Sequence, residues 1–443
     1  MNAITSELLS RYEKETAVAP GNRMARHTLS KCKIEDAAFV QEAAQRLRHK
    51  FSCQIETLPV TNQKSSGRCW LFAATNLLRE RIAKARGLEQ FELSQSYLAF
   101  WDKFERSNYF LESILATRDL PHDDRTVMFI LQTGVHDGGQ WDMFANIVRK
   151  YGIVPKDVFD ETQQSSNTRR MNYLLNRYMK RCAAELRRHS RSGANEIALQ
   201  AEKETMLGKV YDFLTRCYGE PPKRFNFEFV DKDKTYHVEE NLTPLSFAER
   251  TLALQLLDET VSIIHAPTSD KPFDATYTIR FLGNVADGRA VRHLNLRLDD
   301  FKAAVLAQLQ SGYPVWFGSD VGHDGDRELG LWDDALFDYE TLTGLPLDIS
   351  KEDGLDYCFS AMDHAMVLTG VQLEQGRPVR WRIENSWGDE HGQKGYYICS
   401  DSWFDKYVYQ AAVERRFLGE KAALYEKEPV VLDPWDPMGT LAE

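Results

Sequence analysis

Cys69 follows the loop Gln63-Lys64-Ser65-Ser66-Gly67-Arg68 and opens the apolar run Trp70-Leu71-Phe72-Ala73. A thiol in the first turn of a helix sits in partial positive charge, which favours thiolate over thiol. Gln63, six residues upstream, carries an amide able to hold an oxygen that turns negative when a thiolate attacks a carbonyl. A lone cysteine at a helix start is more often buried and inert. A thiol nucleophile also needs a base, and the base needs a group to orient it. Both candidates lie far downstream, His364 in Asp363-His364-Ala365-Met366-Val367-Leu368 and Asn385 in Trp381-Arg382-Ile383-Glu384-Asn385-Ser386-Trp387-Gly388. Gly376 and Pro378, between them, predict a turn joining two antiparallel strands. Such a hairpin brings His364 and Asn385 within hydrogen-bonding reach on neighbouring strands.

These groups need a scaffold, and apolar spacing supplies its outline. From Cys69 onward, Leu71, Ala74, Leu78 and Ile82 recur at helical spacing, and Gly87 ends the run. Residues 94–104, 127–131 and 142–151 read as further helices, the last stopped by Gly152. Residues 161–216 are rich in Arg, Asn, Gln, Glu and Lys, with Met171, Leu175, Tyr178, Leu199, Met206, Val210 and Leu214 at helix-like intervals. They predict a helical insertion. After Pro222 the pattern shifts to strands at 225–230, 275–279, 314–318, 364–371, 379–385 and 395–399, with one helix over 298–310.

The 443-residue chain is 43% apolar and 27% charged, the make-up of an ordinary globular protein. No apolar run of about 18 residues is present, which argues against a membrane span. The first residues lack the basic and apolar regions of a secretory signal. Seven scattered cysteines suggest neither a disulfide framework nor a zinc site, and a reducing compartment follows. A net charge of −11 makes nucleic acid an unlikely main partner. The arginines at 169–170 and 181–191 keep that alternative in view, against the plainer reading of a solvated helical face.

The order Cys, His, Asn is that of papain-like proteases. The chain more closely resembles their cytosolic branch, the bleomycin hydrolase and aminopeptidase C family. Four blocks carry the resemblance: Gln63 to Ala73, Asp137-Gly138-Gly139-Gln140-Trp141-Asp142-Met143, Met362 to Gly370 with Glu384 to Gly388, and the tail Pro434-Trp435-Asp436-Pro437-Met438-Gly439. The resemblance implies an α+β papain-like fold with a helical half and a β-rich half. Its expected parts are an N-terminal extension (1–62), a helical half with the nucleophile (63–160), a helical insertion (161–222), a β-rich half with His and Asn (223–427) and a C-terminal arm (428–443). Two departures stand out. Ser66 replaces the first cysteine of the secreted pattern, and His364 follows Cys69 by 295 residues, against roughly 130–150 in simple papain-like enzymes.

By the same resemblance, Cys69, His364, Asn385 and Gln63 are the catalytic set, with Trp387 shielding the His–Asn bond. Gly138 and Gly139 would line the groove, letting a peptide lie alongside as an added strand. The family's arm lies in its own cleft, so Ala442 and Glu443 would face the free amino group of a substrate. Retention or trimming of Glu443 is left open. His136, Asp320 and His323 show no ligand spacing, so neither a metal nor a cofactor is expected. The activity implied is aminopeptidase cleavage of peptides with free N-termini, with bleomycin-type amide hydrolysis alongside, in a cytoplasmic homohexamer. Its rivals are a papain-like endopeptidase with a mobile tail, a nucleic-acid-binding oligomer with secondary peptidase activity, and a catalytically silent scaffold.

Overall fold

The computed structural model describes residues 1–18 and 20–442. The helix Cys69–Arg86 runs through the interior, and Gly87 ends it in the left-handed conformation (φ 65°) that glycine adopts without a Cβ clash. Around it pack the helices Gln95–Ala116 and Trp141–Tyr151. The predicted insertion contains the long helices Arg169–Arg191 and Glu196–Tyr218, which lie against Gln95–Ala116. Their Met171, Leu175, Leu199 and Leu214 join the same apolar cluster as Trp70 and Leu71. The insertion is therefore built into the core that carries Cys69. Phe227 of the small hairpin 225–242, with Phe247 and Leu256 beyond it, buries in that cluster too.

One large sheet forms the other half. Its central strands are Thr260–Ile264, Val408–Glu414, Val315–Ser319, His364–Glu374, Arg377–Glu384 and Tyr396–Ser400, hydrogen-bonded in that order. The predicted hairpin is present: His364–Glu374 and Arg377–Glu384 run antiparallel. Gln375 and Gly376 both have positive φ (51° and 80°), the twist that suits a tight hairpin. The period-2 alternation of strands explains how this sheet sits. Ala365 and Val367 face the helix Cys69–Arg86, whereas Met366 and Leu368 join a second cluster with Phe301 and Leu309 of the helix Leu298–Gln310 and with Trp403 and Phe404. With helices on both faces, the strand bearing His364 is buried along most of its length.

Several elements lie outside the sequence expectations, two of them at the central strands. The helix Ala253–Glu259 leads into Thr260–Ile264, and the strand Val408–Glu414 bridges Thr260–Ile264 to Val315–Ser319.

The tail docks on the body of the protein. Val430–Leu432 adds a parallel strand beside Ala275–Ile279, at one edge of the sheet. Beyond it, Trp435 lies under the Arg125 guanidinium (3.7 Å), a cation–π contact, and the buried Lys271 ammonium holds Asp436 at 2.9 Å.

Candidate active site

Cys69 is the first residue of its helix, so its N–H points out of the helix end instead of into an i−4 bond. Its thiol is buried and meets the backbone N–H of Ala365 at 3.4 Å, which puts the sulfur against the start of the His364 strand. His364 is the first residue of that strand and pairs with Ser319. Its Nε2 bonds Asn385 Oδ1 at 3.0 Å. The same oxygen accepts the Ser386 N–H at 2.8 Å, as expected for the acceptor end of the amide. Nε2 therefore carries the ring hydrogen, and Nδ1 is the nitrogen that can take a proton from a thiol. The Trp387 ring lies 4.8 Å from the His364 ring, centroid to centroid. Arg327 stacks on the other part of the indole at 4.5 Å.

Gln63 is held by the loop that carries Asn385. Its N–H bonds Ser386 O at 2.8 Å, and its Oε1 accepts from Ser386 Oγ at 2.7 Å. With the oxygen fixed, the amide nitrogen faces the turn before Cys69, and one of its two hydrogens goes to Ser66 O. Ser66, which stands where secreted relatives have cysteine, ties this turn together differently. Its hydroxyl donates to Gln63 O at 2.6 Å and accepts from Arg68 Nε at 2.9 Å. Arg68 in turn makes a two-pronged bond to Glu161 (3.1 and 2.9 Å). Two to three helix turns further on, the buried Asn76 and Arg79 both reach Glu384 Oε1 at 2.8 Å, one residue before Asn385. The helix Cys69–Arg86 and the strand that ends at Glu384 are thus joined by a buried charged contact.

The glycine pair lies against Trp70, the residue after Cys69. Gly138 O accepts from Arg106 at 2.7 Å. Gly139 exchanges both backbone hydrogen bonds with Ala442, which is fully buried. The arm therefore occupies the strand position beside Gly139. Gln140, whose role the sequence reading did not foresee, clamps the arm by donating to Met438 O (3.1 Å) and Thr440 O (2.7 Å). Its place directly after the glycine pair, just before a buried helix, was the available signal. Glu443 lies outside the described residues. Between the arm and the helix Gln95–Ala116 is a cavity of about 560 Å³, lined by Phe110, Ile130, Met143, Phe281 and Met362. The arm roofs this space without filling it.

Asp363, next to the His364 ring's backbone, also borders the cavity. Burial pushes its carboxyl up to about 6, against the pull of the Val321 N–H and helped by nearby Asp320. Asp320 itself pairs with His323 at 3.0 Å and accepts from Ser360 at 2.8 Å. Among the described residues, no group of three or more His, Cys, Asp or Glu side chains is disposed to hold a metal ion.

The sequence matches the Peptidase C1-like family over residues 3–439. The chain belongs to that family. It is 47% identical to an aminopeptidase C of Streptococcus thermophilus over 88% of each chain. It is 43% identical to an aminopeptidase C of Lactobacillus helveticus over 99% of this chain and 98% of the other. Human bleomycin hydrolase is 40% identical over 92% of each. The crystal structure of PepW from Lactobacillus rhamnosis HN001 superposes with a TM-score of 0.97 at 43% identity, covering 99% of both chains. The papain-like α+β fold and the cysteine peptidase class follow from this membership.

Proposed function

We propose that this chain is a thiol-dependent aminopeptidase that releases N-terminal residues from peptides through an acyl-enzyme on Cys69. His364 Nδ1 takes the thiol proton, and the thiolate attacks the first peptide carbonyl. The resulting oxyanion is met by the Cys69 N–H and the remaining Gln63 amide hydrogen. The imidazolium then gives its proton to the departing amine, and the thioester forms. Water, deprotonated by the same ring, releases the acyl group. Asn385 keeps Nε2 protonated throughout, and Trp387 shields that bond.

Ala442 on Gly139 is the observation that carries the reading. A peptide running past Cys69 on that side needs the same backbone partners, so only a chain that begins near the nucleophile fits. The aminopeptidase C relatives support this reading, and human bleomycin hydrolase supports amide hydrolysis near a free amine as a side activity.

A homohexamer in the cytoplasm is the accompanying proposal, resting on the family resemblance. No helix among the described residues is long and apolar enough to cross a membrane. Within the arginine-rich helix, Arg187 is buried and bonded to Thr117 O at 2.8 Å, and Arg181 pairs with Glu185 at 2.9 Å. Both contacts favour a structural role for these arginines over nucleic-acid binding.

The test compares aminoacyl arylamides, free and N-acetylated, on the intact chain, on C69A and on a chain ending before Thr440. Expected are turnover of free amines only by the intact chain, none by C69A, and new turnover of acetylated substrate after truncation. Equal turnover of both substrates by the intact chain would refute the arm's role.

A further inference from the structure

Asp137 lies outside the catalytic set, yet every acceptor site on its carboxylate is occupied. Oδ2 accepts the Gly67 N–H at 3.0 Å, from the turn that precedes Cys69, and the Thr168 hydroxyl. Oδ1 accepts from Asn172 Nδ2 at 2.9 Å and forms a contact ion pair with the Lys103 ammonium at 2.7 Å. Its backbone carbonyl takes the Trp70 indole N–H at 2.7 Å, and the next residues are Gly138 and Gly139. Asp137 and Lys103 are both buried. Thr168 and Asn172 come from the start of the helical insertion, and Lys103 from the helix Gln95–Ala116. One carboxylate thus ties the insertion to the Gly67 turn and to the helix Gln95–Ala116.

Burying an ion pair for stability alone is a poor use of charge, because apolar residues of similar volume are often as stable. A carboxylate does what an apolar residue cannot: it fixes a backbone N–H at a defined distance. Gly67 is two residues before the sulfur, and Gly139 is two residues after Asp137. A shift at Asp137 therefore moves the oxyanion turn and the substrate strand together.

We propose that Asp137 is a positioning residue for the reaction at Cys69, through which the helical insertion sets the relative placement of the Gly67 turn and the Gly138-Gly139 strand. The proposal rests on Cys69 being the nucleophile of the aminopeptidase reaction.

The test pairs two double variants in the full-length chain. K103M/D137L replaces the ion pair by apolar groups and removes the acceptor for Gly67. K103M/D137N removes the charge but keeps one oxygen for Gly67, and its new amide N–H can reach Asn172 Oδ1, a buried oxygen with no other donor. Melting temperature, kcat/KM on a free-amine arylamide and the rate at which a carboxypeptidase trims the tail are read for each. For K103M/D137L we expect a fold of near wild-type stability, a drop in kcat/KM of about 100-fold and faster trimming, as the Gly139 seat loosens. K103M/D137N should recover most of the kcat/KM and the slow trimming. Two folded doubles with equal kinetics, both like wild type or both equally impaired, overturn the proposal.

If the apolar pair does not fold, T168V/N172A removes two of the carboxylate's partners from the insertion side. It must lower kcat/KM and speed trimming in a folded protein, and unchanged values overturn the proposal. A wild-type chain inactive on free-amine arylamides defeats the aminopeptidase reading instead, and the trimming rates still decide the role of Asp137.

Discussion

Gly139 and Ala442 face each other as an antiparallel pair, the Gly139 N–H meeting Ala442 O at 3.1 Å and the Ala442 N–H meeting Gly139 O at 3.3 Å. No side chain fits at the glycine, because a Cβ there would lie 2.5 Å from the Trp70 ring. G139A must therefore displace either the indole next to the nucleophile or the strand that pairs with the arm. The expected cost is about 1–3 kcal/mol of stability, with a fall in kcat/KM larger than the change in melting temperature would suggest. Thermal denaturation and steady-state kinetics on one preparation check both.

Asn385 anchors the His364 ring through a single oxygen at 3.0 Å. N385A should lower kcat by roughly 10²–10⁴-fold, the range spanned by a general base, with a much smaller change in KM. N385D keeps the acceptor and should lose less. Reversal of that order between the two variants would show that the oxygen does not orient the ring.

Gln140 holds the arm by two hydrogen bonds to its backbone. Removing them in Q140A forfeits about 1 kcal/mol each. The arm borders an open cavity on one side, while its Met438 and Ala442 pack into the core. Turnover of N-acetylated arylamide should rise about tenfold or more over the intact chain, with weaker use of free-amine substrate. A comparison of the two substrates on Q140A is sufficient to read this.

Asp363 gives a pH dependence of stability. Burial raises its carboxyl to about 6 in the folded chain, so between its unfolded value near 4 and about 6 the native state holds the proton more tightly than the unfolded one. Its contribution is present below pH 4 and is lost as pH rises through 6; the side chain is solvent-exposed, so screening keeps the change in stability small. D363N keeps the acceptor that the Val321 N–H uses at 2.9 Å. Its melting temperature should match wild type near pH 4 and exceed it by a growing margin up to pH 6, then by a constant one. A margin that shrinks with rising pH would contradict this assignment.

The sequence made the site legible where local spacing encodes it. Cys69 at a helix start, the hairpin between His364 and Asn385, and the docked tail are each written within a few residues. The partners reached across the fold were not legible. Asp137 and Lys103 are 34 positions apart, and Asp137 meets Gly67 at a separation of 70 residues; only the packed tertiary structure brings them together. The strand Val408–Glu414 was missed for a related reason. It is buried on both faces, including Gln410 and Glu414, so the polar alternation that marks a strand is absent. Gln410 is satisfied by Ser262 and Glu414 by Arg81, contacts that no local pattern predicts.

No disulfide joins any of the seven cysteines. Where secreted relatives carry a sulfur at position 66, this chain has a hydroxyl bridging Gln63 and Arg68. Reductant needed to keep the attacking group in its active oxidation state therefore has no crosslink to cut. Dithiothreitol should reactivate an oxidised preparation without lowering its melting temperature, so the same additive that preserves catalysis carries no penalty for the scaffold.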